Sequence, residues 1–342
     1  MTATFIICPA GLVTGGPELL HQLSSTLQGI GSRSHIIYFP FNTKHTVPES
    51  YKKYEVSQAH RDDIKAGDNV VLPEVYTHLV EQFPTNRVFL WWLSVDNFHS
   101  SRASTRMAAL FPTSARPIAQ ALTRNVSAIR KTLSLLGRVG GIKHIKKVHL
   151  HLHQSEYART FLEQHRLGPT APLGDYINED YLGFDTTKSS LFRENFIAYN
   201  PAKGADRTAA ILSELAAMNI DAVAMPIKGY SREGVRDLLS RSKVYIDFGN
   251  HPGKDRIPRE AAAMGACVIV NRRGSAGNFQ DVPLSDAYKV DDQSPGFAQD
   301  AATKIQAVLG NFEFHSQQFN AYRGIIAEER QQFVTQVQKL FA

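Results

Sequence analysis

The segment from Gly249 to Gly265 combines glycines and cations in a pattern that suits the binding of a phosphate or diphosphate. It reads GNHPGKDRIPREAAAMG and follows an apolar run, residues 243–248, that predicts a β-strand. Gly253 permits close approach of the backbone to a ligand, Lys254 offers a point charge, and Arg256 offers a bidentate guanidinium. Because loops that follow strands often carry binding residues, the pattern favours a ligand site over an ordinary surface loop.

A helix is predicted directly after these cations, beginning at about Pro258. The N–H groups of its first turn would point toward the same ligand and strengthen the binding of an anion. Glu260 lies close to this helix start and could accept hydrogen bonds from sugar hydroxyls. The structural alternative is that Glu260 caps the helix and pairs with Arg256 across one turn. His251 lies in the same loop and is included among the predicted binding residues.

Two further loops of the second half follow predicted strands and carry cations. In the first loop, Asn200, Lys203 and Gly204 place a lysine beside a glycine, which suits a phosphate-binding turn. In the second loop, Lys228 is followed by Tyr230, whose ring could stack on a nucleotide base. Both loops are also compatible with ordinary turns, in which glycine is common.

The first half begins with an apolar run followed by Gly15 and Gly16, where a helix is predicted to start. Glycines at this place let the backbone approach a phosphate or a sugar closely. The loop matches neither the G-x-G-x-x-G fingerprint nor the P-loop motif. The sequence therefore predicts no dinucleotide cofactor.

Asp96 and His99 follow a strongly apolar predicted strand, residues 88–93, and are the candidates for a general base. Either side chain could take a proton from a hydroxyl group. The structural alternative is that Asp96 caps a loop and that His99 is an exposed histidine. Glu74 and His21 are weaker candidates for the same role.

Three histidines, His149, His151 and His153, alternate along one predicted strand, a spacing that raises the question of a metal site. No carboxylate is placed beside them, so the sequence predicts no metal site. The pair Asp291 and Asp292 lies in a predicted loop and is interpreted as solvent-exposed.

The composition favours a two-domain protein of a reducing compartment. The chain has 342 residues, more than one domain usually contains, and 38 Lys and Arg against 32 Asp and Glu give a net charge of +6. This positive excess is compatible with an anionic partner.

Two cysteines, Cys8 and Cys267, exclude a disulfide framework. The start of the chain predicts a strand rather than a signal peptide, and no apolar run is long enough for a membrane span, so we expect a cytoplasmic location.

Short apolar runs alternate with helical patterns along the chain, which predicts an α/β protein with parallel sheets covered by helices. We expect an N-terminal domain over residues 1–180, a C-terminal domain over residues 181–315 and a C-terminal helix over residues 316–342. The Pro- and Gly-rich residues 168–175 are interpreted as a hinge. The predicted strands are residues 4–8, 35–39, 69–72, 88–93, 147–152, 196–199, 221–225, 243–248, 267–270 and 287–290. The predicted helices are residues 17–27, 208–218, 231–240 and 258–264, followed by a C-terminal helix with the apolar stripe Phe319, Tyr322, Ile326, Phe333, Val337 and Leu340.

The excess positive charge is concentrated between residues 100 and 147, within a stretch from Asn97 to Ser155 that has ten cations and no Asp or Glu. Residues 116–138 form an amphipathic helical pattern with an apolar stripe opposite the cations. Such a helix could lie on an anionic membrane surface. The structural alternative is that its stripe packs on its own domain.

These features resemble the GT-B-fold glycosyltransferases, in particular families 1 and 4, as a divergent branch. The most specific match is the run Pro258–Gly265, in which a helix glutamate is followed by small residues, Met and Gly before a strand. Lys203 resembles the cation that contacts the donor phosphates in many members, and Gly15 with Gly16 resembles the first glycine-rich loop. Many retaining members carry a second acid eight positions before the helix glutamate, where this chain has Pro252. The stereochemistry therefore stays open.

The resemblance implies two Rossmann-like domains that face each other across a cleft, with the C-terminal helix crossing back to the N-terminal domain. It implies transfer of a sugar from a nucleotide-sugar donor to a hydroxyl of a glycan or lipid-linked acceptor, as in surface polysaccharide synthesis, without a metal or another cofactor. A peripheral position on the inner face of a membrane would follow from the basic helix. The alternatives are a nucleotide-sugar epimerase of the same fold and a non-catalytic nucleic-acid-binding protein, although no nucleic-acid partner is expected because aromatic residues are sparse in the basic segment.

Overall fold

The computed structural model describes residues 2–101, 142–186 and 193–341. The basic helix predicted over residues 116–138 lies outside the described residues. The chain divides into two units, of which the first comprises Met1–Gly174 with Val334–Ala342 and the second comprises Asp175–Phe333. Each unit contains one parallel β-sheet with helices, so the predicted α/β class is confirmed.

The first unit is built on a six-stranded parallel sheet with the order β2-β1-β3-β4-β5-β6. Its strands are β1 (Thr4–Pro9), β2 (Ser34–Phe39), β3 (Asn69–Pro73), β4 (Arg87–Trp92), β5 (Leu150–His153) and β6 (Thr170–Pro172). Its helices are α1 (Gly15–Gly29) and α2 (Glu156–Gln164), and residues 95–101 are also helical. Its 3₁₀ turns are Glu49–Tyr54, Arg61–Asp63, Glu74–Gln82 and Lys143–Lys147.

The core of the first unit follows from its apolar patterns. Ile6 and Ile7 point to opposite faces of β1 and are both fully buried, as expected for a parallel sheet that is covered on both sides. In α1 the leucines at positions 20, 23 and 27 repeat at helical spacing and are fully buried. The sequence pattern therefore fixes which face of this helix packs on the sheet.

The second unit is built on a five-stranded parallel sheet with the order β11-β10-β9-β7-β8. Its strands are β7 (Glu194–Tyr199), β8 (Val223–Pro226), β9 (Ser242–Asp247), β10 (Cys267–Asn271) and β11 (Lys289–Val290). Its helices are α3 (Ala205–Ala217), α4 (Arg232–Arg241), α5 (Arg256–Ala263), α6 (Phe297–Gly310) and α7 (Phe312–Gln317), followed by α8 (Asn320–Phe341), which continues into the first unit. Its 3₁₀ turns are Glu179–Tyr181, Gly274–Gly277 and Asp286–Tyr288.

The C-terminal pattern from Phe312 onward forms the two helices α7 and α8, which meet near Phe319. Within the second unit, the ring of Phe333 packs edge-on against Tyr176 with 5.3 Å between the ring centroids. Within the first unit, Phe341 lies 4.9 Å from Phe89 in the same measure. Five residues of the predicted apolar stripe are buried, namely Phe319, Tyr322, Ile326, Phe333 and Val337, and Leu340 is half-buried.

Two predicted strands begin later than expected, and the stretch predicted as a hinge, which contains the division between the two units, also contains a short strand. The stretch predicted as a hinge contains the edge strand β6, in which Thr170 and Ala171 pair with His151 and Leu152. Prolines are tolerated there because an edge strand need not donate on its open side. The strand predicted from residue 147 begins at Leu150, since residues 143–147 form a 3₁₀ turn. The strand predicted over residues 287–290 shrinks to β11 for the same reason.

Within the three described ranges, every helix is either too short or too polar to span a lipid bilayer.

Candidate functional site

The order of the strands in the second sheet reverses between β7 and β9. These two strands are parallel, hydrogen-bonded neighbours, although β8 lies between them in the chain. Ligands of open parallel sheets bind beyond the carboxyl ends of the strands at such a switch point. The loop after β7 carries Asn200, Lys203 and Gly204, and the loop after β9 begins with Phe248 and Gly249. Two of the predicted binding loops therefore lie at the place where a ligand is expected.

Two glycines bring these loops into backbone contact. Gly204 has a φ of +57°, and a Cβ atom added there would overlap the carbonyl oxygen of Phe248. A Cβ atom at Gly249 would lie 2.6 Å from the Cβ atom of Lys203. Only glycine fits either position, and the close approach of the two loops fixes the position of the Lys203 backbone.

Lys203 is directed to the beginning of helix α5. Its Nζ atom lies 2.8 Å from the Oδ1 atom of Asp255, and about one third of the lysine side chain stays exposed. Asp255 is the N-cap residue of α5, yet its carboxylate accepts no hydrogen bond from that helix. By contrast, Ser231 caps α4 by accepting from the amide of Gly234, and Ser155 caps α2. The start of α5 is therefore not capped by its own carboxylate, which suits the binding of an anion.

His251 lies behind Asp255 and is only 2% exposed. Its Nδ1 atom is 2.8 Å from Oδ2 of Asp255, and its Nε2 atom is 3.7 Å from Oδ1 of Asp247. Burial lowers the pKa of His251, but the carboxylates of Asp255 and Asp247 outweigh burial, so that the pKa is raised above its ordinary value. Burial raises the pKa of Asp255, but His251 and Lys203 outweigh it and the pKa is lowered. The imidazole is thus placed to carry a positive charge between two carboxylates.

Within the described ranges, the group Asp247, His251 and Asp255 is also the one set of three residues whose ligand atoms lie close enough to hold a metal ion, all within 4.8 Å. Both imidazole nitrogens already face carboxylate groups, and Lys203 contacts Asp255 as well. Two carboxylates and two cations balance each other in charge. The arrangement is therefore satisfied by an imidazolium.

Lys254, which the sequence predicts to bind phosphate, forms a buried ion pair. Its Nζ atom lies 2.8 Å from Oε1 of Glu329 on α8, a carboxylate that is only 3% exposed at its side chain. The second oxygen of Glu329 accepts from Arg259 at 2.6 Å. Lys254 thus contributes to an internal charge network, whereas Lys203 keeps more of its side chain exposed.

The remaining predicted residues of this region lie around the same helix start. Gly253 is buried, and its carbonyl oxygen accepts a hydrogen bond from Ser275 at 2.6 Å. Arg256 is half-buried in the first turn of α5, and Glu260 is buried on the second turn, where its charge acts on Tyr181 and Tyr245. One small cavity is lined by residues that include His251, Lys254, Asp255, Pro258 and Asp281.

Lys228 and Tyr230 follow the edge strand β8 and are exposed, Tyr230 by 45%. Since β8 pairs with β7, their loop lies next to the loop that carries Lys203 in the sheet order. An exposed ring at this place is compatible with stacking on a base, as the sequence predicts.

The sequence interpretation of Asp292 as solvent-exposed was wrong. Asp292 is 2% exposed, and its Oδ2 atom lies 2.8 Å from Nε of Arg273 and 3.8 Å from Nε of Arg207. Asn271 also donates to Asp292, at 3.3 Å, and to the carbonyl of Gly249, at 2.8 Å. This cluster, which the sequence did not reveal, supports the loop after β9 from the side of β10.

In the sheet of the first unit, the order of the strands reverses between β1 and β3. Gly15 and Gly16 form the first turn of α1 at the end of β1, and the N-cap residue Thr14 makes no side-chain cap. The Tyr51 hydroxyl donates to the carbonyl of Thr14 at 2.8 Å and fixes this loop. At the end of β3, Glu74 is buried and accepts from the amide of Leu93 at 3.0 Å.

The two candidates for a general base differ in accessibility. Asp96 is half-buried and accepts a hydrogen bond of 3.3 Å from the hydroxyl of Tyr157. His99 is 6% exposed and packs edge-on against Phe161, with 5.4 Å between the ring centroids. Of the two, Asp96 has the side chain that a substrate could reach more readily.

The other histidines that drew attention in the sequence have structural partners. His21 contacts the hydroxyl of Tyr38 through Nε2 at 2.8 Å. His151 accepts from the indole of Trp92 at 3.0 Å, and burial lowers its pKa to about 4. His149 accepts from Arg87 at 2.9 Å. The buried rings of His21 and His151 therefore serve the packing of the first unit, whereas His149 is exposed.

Comparisons with known proteins identify the fold. No protein-family model matches the chain, and no curated protein sequence matches it either. Among solved structures, sucrose-phosphate synthase from Thermosynechococcus elongatus is similar with a TM-score of 0.65 and 11% identity, covering 100% of this chain and 98% of that one. HepE from Anabaena, in complex with UDP-glucose, has a TM-score of 0.58 and 10% identity. An E. coli trehalose-6-phosphate protein bound with UDP-2-fluoro glucose has a TM-score of 0.58 and 9% identity. Each of these two matches covers 99% of both chains. The chain therefore has the GT-B fold of these glycosyltransferases.

Proposed function

We propose that the protein is a glycosyltransferase that transfers a sugar from a UDP-sugar donor to a hydroxyl group of a glycan or lipid-linked acceptor. The observation that carries this proposal is the arrangement at the switch point of the second sheet, where Lys203 and the start of α5 converge. A lysine beside an uncapped helix N-terminus suits a diphosphate. The UDP-glucose and UDP-2-fluoro glucose in the HepE and E. coli structures support a uridine nucleotide.

The chemistry requires stabilisation of a departing diphosphate. The bond between the anomeric carbon and the β-phosphate oxygen breaks, and the acceptor oxygen forms a new bond to that carbon. The electron pair of the broken bond stays on UDP, so negative charge grows at the diphosphate. In this proposal Lys203, Arg256 and the first N–H groups of α5 stabilise that charge, and no metal or other cofactor takes part.

The remaining predicted site residues receive roles in the same proposal. Glu260 accepts hydrogen bonds from the ribose hydroxyls, and Tyr230 stacks on the base. Asp96 takes the proton of the acceptor hydroxyl, and His99 stays the second candidate for that step. Gly15 and Gly16 let the first glycine-rich loop approach the substrate.

The cellular setting is proposed from the sequence. We infer a role in the synthesis of a surface polysaccharide, on the cytoplasmic side of an anionic membrane on which residues 116–138 would lie with their apolar stripe toward the lipid. No nucleic-acid partner is proposed. Flotation with liposomes that contain or lack anionic lipid tests the contact, and equal flotation with both would rule it out.

A thermal-shift panel of UDP, GDP, CMP, ADP and dTDP tests the donor assignment. Saturating UDP at about 100 times its dissociation constant should stabilise the fold by about 2.7 kcal/mol, and the other nucleotides should stabilise it less. In the variant Lys203→Gln the stabilisation at the same UDP concentration should fall to about 0.4–1.4 kcal/mol, as a tenfold to hundredfold weaker affinity requires. The control variant Lys243→Gln should keep the full stabilisation, because Lys243 lies at the opposite end of β9 and contacts Asn195 at 2.7 Å. If no nucleotide stabilises the wild type, the proposal is wrong.

The activity itself is distinguished from that of an epimerase by its dependence on an acceptor. A transferase should release UDP at a rate that rises when acceptor glycans are added. An epimerase would change the sugar of the donor without any acceptor, and a product of that kind would contradict the proposal.

A further inference from the structure

The carboxylate of Asp255 occupies an unusual place at the start of α5. Aspartate is among the preferred N-cap residues because its side chain accepts from the amide of the second or third helical residue. Here the third helical residue is Pro258, which has no N–H group, and the Asp255 carboxylate caps nothing. Both of its oxygens are instead directed to cations, Oδ1 to Lys203 and Oδ2 to His251, at 2.8 Å each.

His251 is contacted from two sides, by the loop after β10 at its backbone and by Asp247 at its ring. The carbonyl oxygen of His251 accepts from the amide of Ser275 at 2.8 Å. Gly274 packs so closely that an added Cβ atom would overlap the same oxygen. On the other side of the ring, Asp247 is fixed by the hydroxyl of Tyr245 at 3.1 Å. The imidazole is thus anchored by β9 and by the loop after β10.

The charges around the imidazole balance only when it is protonated. Asp247 faces it from β9, Asp255 from the start of α5 and Lys203 from the loop after β7, while the loop after β10 contributes backbone atoms. With a neutral imidazole, two carboxylates would face one lysine. The surplus negative charge would then lie beside the place where the diphosphate is proposed to bind, and like charges at this distance repel each other.

We propose that His251 is a positioning residue, whose imidazolium holds the Asp255 carboxylate away from the start of α5 and neutralises it, so that Lys203 and the helix N–H groups can serve a diphosphate. This inference rests on the proposed function. His251 would raise the affinity for the donor without contacting the donor. Its positive charge would also explain why an acidic side chain can lie at an anion site.

The test measures the dissociation constant of UDP-glucose by calorimetry as a function of pH, because the charge of its diphosphate does not change with pH near neutrality and a change in affinity therefore reports on the protein. The wild type should bind more weakly as the pH rises through the pKa of His251. The variant His251→Gln should bind about tenfold more weakly at pH 6 and lose this pH dependence. The variant His45→Gln, which changes a histidine of the first unit that contacts the carbonyl of Pro40, should behave like the wild type.

The double variant His251→Gln with Asp255→Asn provides the decisive comparison. Because a neutral asparagine needs no compensating cation, the double variant should recover affinity to within about threefold of the wild type at pH 6. The single variant Asp255→Asn should bind without pH dependence. A merely structural histidine would give no recovery, and equal weakness of the single and double histidine variants would overturn the inference.

Failure of the proposed function would look different. In that case the wild type would bind no UDP-glucose, whereas inorganic pyrophosphate, titrated into the wild type and the same four variants, would still report on the anion site. The inference predicts the same order of affinities for pyrophosphate. An unchanged pyrophosphate affinity in His251→Gln would contradict it.

Discussion

The Nη2 atom of Arg259 lies 2.5 Å from the Oδ2 atom of Asp175, although 84 residues separate the two in the chain. Arg259 belongs to α5, and Asp175 is the first residue of the second unit. The same guanidinium donates through Nη1 to Glu329 on α8. All three side chains are buried. The guanidinium of Arg259 therefore connects α5 to residues near the beginning and near the end of the second unit.

Replacing Arg259 by Met should destabilise the protein by about 3–5 kcal/mol, because it leaves the buried carboxylate of Asp175 without its ion-pair partner and leaves Glu329 paired with Lys254 alone. The control is Arg241→Met, since Arg241 and Glu194 are also 2.5 Å apart but both are almost half exposed. That change should cost at most about 1 kcal/mol. Urea denaturation of both variants measures the difference. Equal losses would mean that burial does not govern the strength of these pairs.

Gly204→Ala should be more harmful than Gly229→Ala, although both glycines have a positive φ. An alanine at Gly204 overlaps the carbonyl of Phe248, whereas one at Gly229 meets no atom within 4 Å. We expect about 1 kcal/mol for Gly229→Ala from the backbone conformation alone, and clearly more for Gly204→Ala. Thermal unfolding tests this order. A Gly204→Ala protein as stable as Gly229→Ala would show that the two loops can separate without cost.

Glu74 should make the stability depend on pH. Burial raises the pKa of Glu74 to about 8, although the amide of Leu93 lowers it. The protonated carboxyl stabilises the fold fully below the unfolded pKa of about 4.5, and this stabilisation is lost as the pH rises through about 8. The wild type should therefore lose stability between about pH 4.5 and pH 8, with little further loss from this group at higher pH.

The variant Glu74→Gln provides the comparison for this loss, because an amide oxygen can still accept from Leu93 but does not ionise. Its free energy of unfolding should fall less than that of the wild type over the same pH interval, as denaturation by urea at each pH would measure. Parallel curves for the two proteins would show that Glu74 does not carry the pH dependence.

Lys254→Met should affect stability more than donor binding. The lysine pairs with the buried carboxylate of Glu329, so its removal should cost about 1–3 kcal/mol. The UDP affinity should change less than it does in Lys203→Gln, because Lys203 is the more exposed of the two lysines. Calorimetry with UDP on both variants measures this order. A stronger loss of affinity in Lys254→Met would show that Lys254 reaches the ligand.

Much of the fold could be predicted from the sequence because its signals are local. Apolar runs such as residues 4–8 predicted the buried strands, and the Gly265 that ends the α5 motif has a φ of +95° and lies against Arg193. The confirmed GT-B fold followed from a resemblance concentrated in residues 258–265. These features depend on neighbouring residues, which a sequence displays directly.

The partners of the site residues could not be predicted, because they depend on strand order and on distant segments. Nothing in the local pattern shows that β7 and β9 are neighbours, which is what brings Lys203 to Asp255. Likewise, the pairing of Lys254 with Glu329 joins residues 75 positions apart. The sequence therefore identified cations near the site without revealing which of them are engaged in buried ion pairs.

Calorimetric titration of UDP measures whether a uridine diphosphate binds at Lys203 and the start of α5. We expect Lys203→Gln to weaken the affinity for UDP by about tenfold to a hundredfold, which corresponds to the loss of a charge-assisted hydrogen bond. Lys243→Gln should bind UDP as the wild type does. Equal affinities of wild type and Lys203→Gln would contradict the account.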